Sequence, residues 1–242
     1  LKIGLGGVFF LVAASILGSY SRGGLIALAA MLGFLWLKSR KKLAVLLIAL
    51  TVVGGGVAVM PDKYLDRIST ITNAEEDESF RGRLDAWEVA WHVALNHPFG
   101  AGFDGPRQTS VWNQYLPGVQ PRASHSIYFM VLGEHGFVGL ILYLILIAAA
   151  WLNLMRIEKI TRDRADLQWA RQLAQALQVS IVGFCVGGAA LPVAYYDGFF
   201  SLLALSVVLI RITMPQPQQV YSPAPSALPN GSVRTPLREA AP

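Results

Sequence analysis

A chain of 242 residues with 54% hydrophobic and 14% charged residues is too apolar for one or two soluble domains, which carry about 25% charged residues. Its mean hydropathy of +0.47 and its bunched charges, separated by long runs of Leu, Ile, Val, Ala and Gly, are those of a polytopic membrane protein. The net charge of +5 lies mostly in short basic clusters beside apolar runs, so it reports topology and argues against nucleic acid as a partner. The single cysteine, Cys185, sits in an apolar run; it excludes a disulfide framework and a thiolate pair for a structural metal, and says nothing about compartment. The chain starts at Leu1 and enters an apolar run at once, which reads as a piece of a longer protein; a cleaved signal peptide over Leu1 to Gly18 is the other reading.

Five to six segments approach the ~20 apolar residues a membrane crossing needs: Ile3 to Gly18, Gly23 to Leu37, Leu43 to Met60, Ile127 to Leu154, Ala174 to Val193 and Gly198 to Ile212. The second and third are joined by Lys38-Ser39-Arg40-Lys41-Lys42. Between the fourth and fifth lie Arg156, Lys159, Arg162, Arg164 and Arg171. Both clusters belong in the cytoplasm by the positive-inside rule. That fixes Gly18 to Arg22, Pro61 to Ser124 and the Tyr195-Tyr196-Asp197 turn on the outside. The organisation is three spans over 1–60, an outer domain over 61–125, three spans over 126–213 and a tail over 214–242, whose Pro, Gln, Ser and Ala content predicts cytoplasmic disorder.

The outer segment holds nine acids and six basic residues, a net charge of −3. It is too long for a passive connection and too rich in aromatics for disorder, so it reads as a folded extracytoplasmic domain. Within it Phe80, Leu84, Trp87, Trp91 and Leu95 recur at helical spacing, with Ser79 as N-cap and Pro98 as stop, predicting a helix that lies along the membrane face.

The topology brings three polar features to this outer face. Ser19-Tyr20-Ser21-Arg22-Gly23-Gly24 opens the second span, where free backbone N–H groups and a guanidinium suit a phosphate or diphosphate; an arginine reaching lipid headgroups is the competing reading. In Arg81-Gly82-Arg83-Leu84-Asp85-Ala86-Trp87, helical geometry puts Arg83 beside the apolar stripe, one turn from Trp87. Arg81 falls on the solvent side with Asp85 as its i,i+4 partner, which favours Arg83 for a site. In Ser124-His125-Ser126-Ile127-Tyr128, a histidine in the first turn of the fourth span feels the positive helix end, which favours neutral imidazole. His125 is a candidate general base, with a structural interfacial histidine as the alternative.

Glu134 and His135 fall inside the fourth span, where ionisable groups are costly, and Gly133 and Gly136 beside them point to a broken helix. Glu134 is either a structural hydrogen-bonding partner or a neighbour of the site. His92 and His97 lack metal-ligand spacing, and no other cluster offers three ligands, so no metal site is expected. Gly100, Gly102 and Gly105 formally fit a dinucleotide fingerprint, but they follow a helix rather than a strand and end in Pro106. They read instead as a tight loop that reaches the active face.

These residues carry a resemblance. His125-Ser126, nine residues and then Gly136-Phe137-Val138-Gly139 resembles the signature of the O-antigen ligase and polymerase superfamily of bacterial membrane glycosyltransferases. Ser21-Arg22-Gly23-Gly24, and the Arg83-x-x-x-Trp87 helix followed by His97-Pro98-Phe99-Gly100-Ala101-Gly102-Phe103, are similar to further family features. With Gly133-Glu134-His135-Gly136 the wording most resembles the O-glycosylation ligases associated with exosortase systems. The resemblance covers roughly Ser19 to Ile212 and implies an all-α integral membrane protein, here the C-terminal half of a lipid-linked glycan ligase. It implies transfer of a glycan from an undecaprenyl diphosphate carrier to an acceptor hydroxyl on protein, lipid or polysaccharide, at the periplasmic face of the inner membrane, with neither metal nor cofactor. Carried over by residue, Arg22 and Arg83 hold the diphosphate and His125 deprotonates or orients the acceptor, with Ser21, Arg81, Ser126 and Glu134 as substrate-binding neighbours. A polymerase using another glycan chain as acceptor fits the same residues. A glycolipid transporter would also use intramembrane Glu134 and His135, although no repeated halves are present. A scaffold that only displays the outer domain would tolerate replacement of Arg22, Arg83 and His125.

Overall fold

The computed structural model describes residues 11–16, 18–19, 22–39, 41–59 and 78–214, and the side chains of all of these except 22, 53, 55–59, 78 and 79. Among them every regular element is helical: α1 (Arg22–Lys38), α2 (Lys42–Val59), α3 (Glu78–Asn96), a 3-10 turn (Gly105–Arg107), α4 (Thr109–Trp112), α5 (Ile127–Ile160), a second 3-10 turn (Ala165–Leu167), α6 (Gln168–Gly188) and α7 (Asp197–Thr213). Among the described residues α5 is long and apolar enough to cross a membrane, and Gly23–Lys38 and Lys42–Val52 form shorter apolar helices. Most of the first expected span, the acids Asp62, Asp66, Glu75, Glu76 and Asp77, and the tail beyond Met214 lie outside the described residues.

Helices α5, α6 and α7 share a core of Leu154, Ile157, Ala174, Ile181 and Leu209. A second core joins Ile127, Val131, Tyr143 and Phe199, where Phe184 stacks on Phe199 with ring centres 3.9 Å apart. Helix α1 runs along α6 because small residues let the backbones close: a side chain at Gly183 would meet Met31, and one at Gly187 would meet Ala27. At its far end Lys38 donates to both carboxyl oxygens of Glu158 on α5, at 2.7 and 2.9 Å. Large apolar side chains such as Leu43, Leu47, Leu142, Ile145, Val208 and Ile212 stay exposed, as lipid-facing surfaces do when hydrocarbon replaces water as the solvent.

The helix boundaries differ from the apolar runs in ways the chemistry explains. Helix α6 begins six residues before the expected Ala174, in a polar turn, and stops at Gly188 rather than Val193. Pro192 has no N–H and disfavours helix at Leu191, so the chain leaves the helix before it. Helix α3 starts at Glu78, so Ser79 lies within its first turn and is not its N-cap. Its buried face is the row of small residues, with Ala86, Val89, Ala90, Val93 and Ala94 all under 5% exposed. The stripe of Phe80, Leu84, Trp91 and Leu95 faces outward instead.

Helix α5 is broken as the glycines predict. Gly136, at φ 65° and ψ −167°, has a conformation essentially closed to residues with a Cβ, and it interrupts the helical hydrogen bonds. The carbonyls this frees at Gly133 and Glu134 accept N–H groups from Ala101 (3.0 Å) and Gly102 (2.9 Å). The loop after α3 therefore docks into the break. The fit requires glycine on both sides, because a side chain at Gly100 would overlap the Glu134 backbone and one at Gly136 would overlap Pro98.

Candidate active face at the broken helix

Trp87 organises the approach to α5. Its indole N–H donates to the Ser124 carbonyl at 2.6 Å, and its ring stacks on Phe129, 4.7 Å away and 4° from parallel. One turn earlier on the same helix, Arg83 is half-buried, and its Nε is buried without a hydrogen-bond partner. The Trp87 clamp thus brings a guanidinium and the His125 segment together.

His125 is not in the first turn of α5, as the sequence suggested. Ser126 is the N-cap and His125 precedes it in a left-handed conformation, φ 46°. Its imidazole is held below the ordinary value of 6.5, first by burial and then by the positive charges of Arg83 and Arg107. The expected preference for neutral imidazole is present, but its causes are burial and two arginines. Ser126 is 2% exposed and its side chain makes no capping bond.

Glu134 is also buried, at 5% exposure, and both its oxygens are engaged. Oε1 accepts the Asp104 backbone N–H at 3.0 Å and Oε2 accepts the Tyr195 hydroxyl at 2.6 Å. Burial and the neighbouring Glu134 push the Tyr195 phenol well above its ordinary value, so it remains a donor. The rings of His135, Phe103 and Tyr195 meet edge to face at 4.7 to 5.8 Å. Glu134 therefore ties the docked loop and the α6–α7 connection to the broken helix. A cavity of about 60 Å³ lies beside it, lined by Arg107, Arg122, Ser124, Trp112 and Glu134 among others. The Trp112 indole N–H is buried there without a partner.

The other predicted residues divide. Arg22 is the first residue of α1. Ala27, just over one turn on, packs on Gly187, and Gly188 packs on Ile127. The start of α1 thus lies at the same end of the bundle as His125, although Ser21 and the Arg22 side chain lie outside the described residues. Arg81 is exposed, and the expected ion pair with Asp85 does not form among the described residues. Arg107, Arg122, Tyr195 and Asp104 were not singled out from the sequence. Arg107 follows Gly105-Pro106 and bonds Asp104 at 3.1 Å; Arg122 lies three residues before His125 and packs against Gly82, where a Cβ would meet its side chain. That proximity to His125 was the one available signal. Among the described residues no three His, Cys, Asp or Glu side chains converge to hold a metal.

This face suits an anion beside a proton acceptor: an arginine with unspent donor capacity, a histidine held neutral, and buried N–H groups without partners. A search of curated proteins and a search of solved structures found no significant match. A family model described as O-antigen ligase matches residues 7–144, a stretch that contains Arg22, Arg83, His125 and Glu134 and ends inside α5. With more than half of its residues in that match, the chain belongs to the O-antigen ligase family of membrane proteins, whose function is of the ligase or polymerase type on lipid-linked polysaccharide.

Proposed function

We propose that the protein is a glycan ligase that moves a glycan from an undecaprenyl diphosphate carrier to an acceptor hydroxyl at the periplasmic face of the inner membrane. The observation that carries this reading is the half-buried Arg83, its Nε without a partner, acting on a His125 that is held neutral. In the reaction the acceptor oxygen attacks the anomeric carbon while the carbon–oxygen bond to the diphosphate breaks. The electron pair leaves on the diphosphate, and His125 takes the acceptor's proton. Arg83 and Arg22 stabilise the leaving diphosphate, which delocalised guanidinium groups with several donors do well, so the reaction is proposed to be metal-independent.

The broken helix supplies a fixed floor, because Glu134, Tyr195 and the docked loop hold the face in place. In this reading the chain crosses the membrane five to six times, three of them before the outer domain, with the basic connections in the cytoplasm by the positive-inside rule. The outward stripe of α3 (Phe80, Leu84, Trp91, Leu95) supports a position along the membrane surface, where a lipid carrier can reach Arg83 laterally. The wording around Gly133 to Gly139 supports a place near the exosortase-associated ligases. The test is transfer from an undecaprenyl diphosphate-linked glycan in membranes carrying wild type or His125→Ala at matched expression, with donor binding measured in parallel. Loss of transfer with binding retained is expected. Unchanged transfer would remove His125 from the mechanism.

A further inference from the structure

At the end of the bundle opposite His125, a cavity of about 640 Å³ opens between the last turn of α1, the α5–α6 connection and the first turns of α6. It falls in the ~300–1,000 Å³ range of small-molecule sites. Lys38, Arg162, Arg164 and Arg171 line it, with the amides of Gln172 and Gln175 and one carboxylate, Asp163, so that four basic side chains face a single acid in the lining. Two of these cations are already neutralised: Lys38 by Glu158 at 2.7 Å and Arg164 by Asp166 at 2.7 Å. Arg162 and Arg171 have no carboxylate within ion-pair distance among the described residues. The Arg171 Nε is buried with no hydrogen-bond partner.

A buried guanidinium N–H without an acceptor, beside a second unpaired guanidinium and two amides, is suited to an oxyanion that accepts several hydrogen bonds at once. Its level in the bundle indicates the source. Trp36 and Trp169, 38% and 49% exposed, sit on the two helices that form the cavity, and Lys42 lies 4.8 Å over the Trp36 ring. Exposed tryptophans with basic neighbours mark the depth of lipid headgroups. We infer that this cavity binds the phosphate of an anionic phospholipid headgroup between Arg162 and Arg171, on the face of the membrane away from the glycan chemistry.

The experiment uses the whole protein in phosphatidylcholine nanodiscs with or without phosphatidylglycerol, reading bound lipid after extraction and the apparent Tm. Wild type should retain phosphatidylglycerol over phosphatidylcholine and gain thermal stability from it. The double variant Arg162→Gln/Arg171→Gln should lose about tenfold or more of that preference, as expected for charge-assisted hydrogen bonds. Gln172→Glu, an exposed position, places a repelling carboxylate in the cavity without disturbing packing and should give the same loss even if the double variant folds poorly. Retention of the preference in Gln172→Glu, or its absence in wild type, would overturn the inference. Inorganic phosphate is the competing probe. Stabilisation of wild type by millimolar phosphate, with no response to phosphatidylglycerol, would overturn the lipid assignment and reassign the cavity to a free phosphate.

Discussion

Replacing Gly136 by alanine attacks the contact on which the candidate site is built. At φ 65° and ψ −167° an alanine carries a backbone penalty of about 1–3 kcal/mol. Its Cβ would also overlap the Pro98 carbonyl, so the docked loop must withdraw and release the bonds from Ala101 and Gly102 to the Gly133 and Glu134 carbonyls. At about 0.5–1.5 kcal/mol each, the total is roughly 2–6 kcal/mol. Gly102 is the internal control: its φ is +84° but a Cβ added there would meet nothing within 4 Å, so Gly102→Ala should cost only the left-handed penalty of about 1–2 kcal/mol. The assay is apparent Tm in detergent, with limited proteolysis of the 97–105 loop. Gly136→Ala should lower Tm by at least about twice as much as Gly102→Ala, at roughly 2–4 °C per kcal/mol, and should expose the loop. Equal shifts with an equally protected loop would refute the docking argument.

Other consequences follow from the same geometry. Because His125 must be neutral to accept a proton, transfer should fall as pH drops through a value below 6.5, and Arg83→Gln should move that acid limb upward by removing one of the charges that lower it; a pH–rate profile unmoved by Arg83→Gln would contradict the coupling. Trp87→Phe loses the bond to Ser124 and should reduce the transfer rate more than donor affinity, read as a split between kcat and KM. Tyr195→Phe leaves a Glu134 oxygen without its 2.6 Å donor and should cost about 1–3 kcal/mol by thermal unfolding; a shift below about 0.5 kcal/mol would show that Glu134 finds another partner.

What the sequence made legible was local. Helix α3, its stop before Pro98 and the break at Gly136 each follow from residues whose backbone preferences are strong. The side that α3 buries was not legible, because Ala86, Ala90 and Ala94 give little hydrophobic signal, yet all three are buried and Ala90 packs against Gly133 of α5. The large stripe that dominates the pattern faces out. At the site, Arg83 and His125 stood out by motif and spacing, whereas Tyr195 reaches Glu134 across 61 positions of sequence, a juxtaposition only tertiary structure creates. The neutral state of His125 was anticipated from a helix dipole, but the residue lies just outside the helix, and burial together with two arginines from separate segments exerts the effect.

The central claim is glycan transfer rather than transport. Its most direct measurement is the stoichiometry of products, by mass spectrometry, after proteoliposomes carrying the protein are given an undecaprenyl diphosphate-linked glycan and a hydroxyl acceptor. The account predicts one free undecaprenyl diphosphate for each glycosylated acceptor, with both products lost in Arg83→Ala. Glycan that crosses the membrane still attached to its carrier, with no free undecaprenyl diphosphate formed, would contradict it.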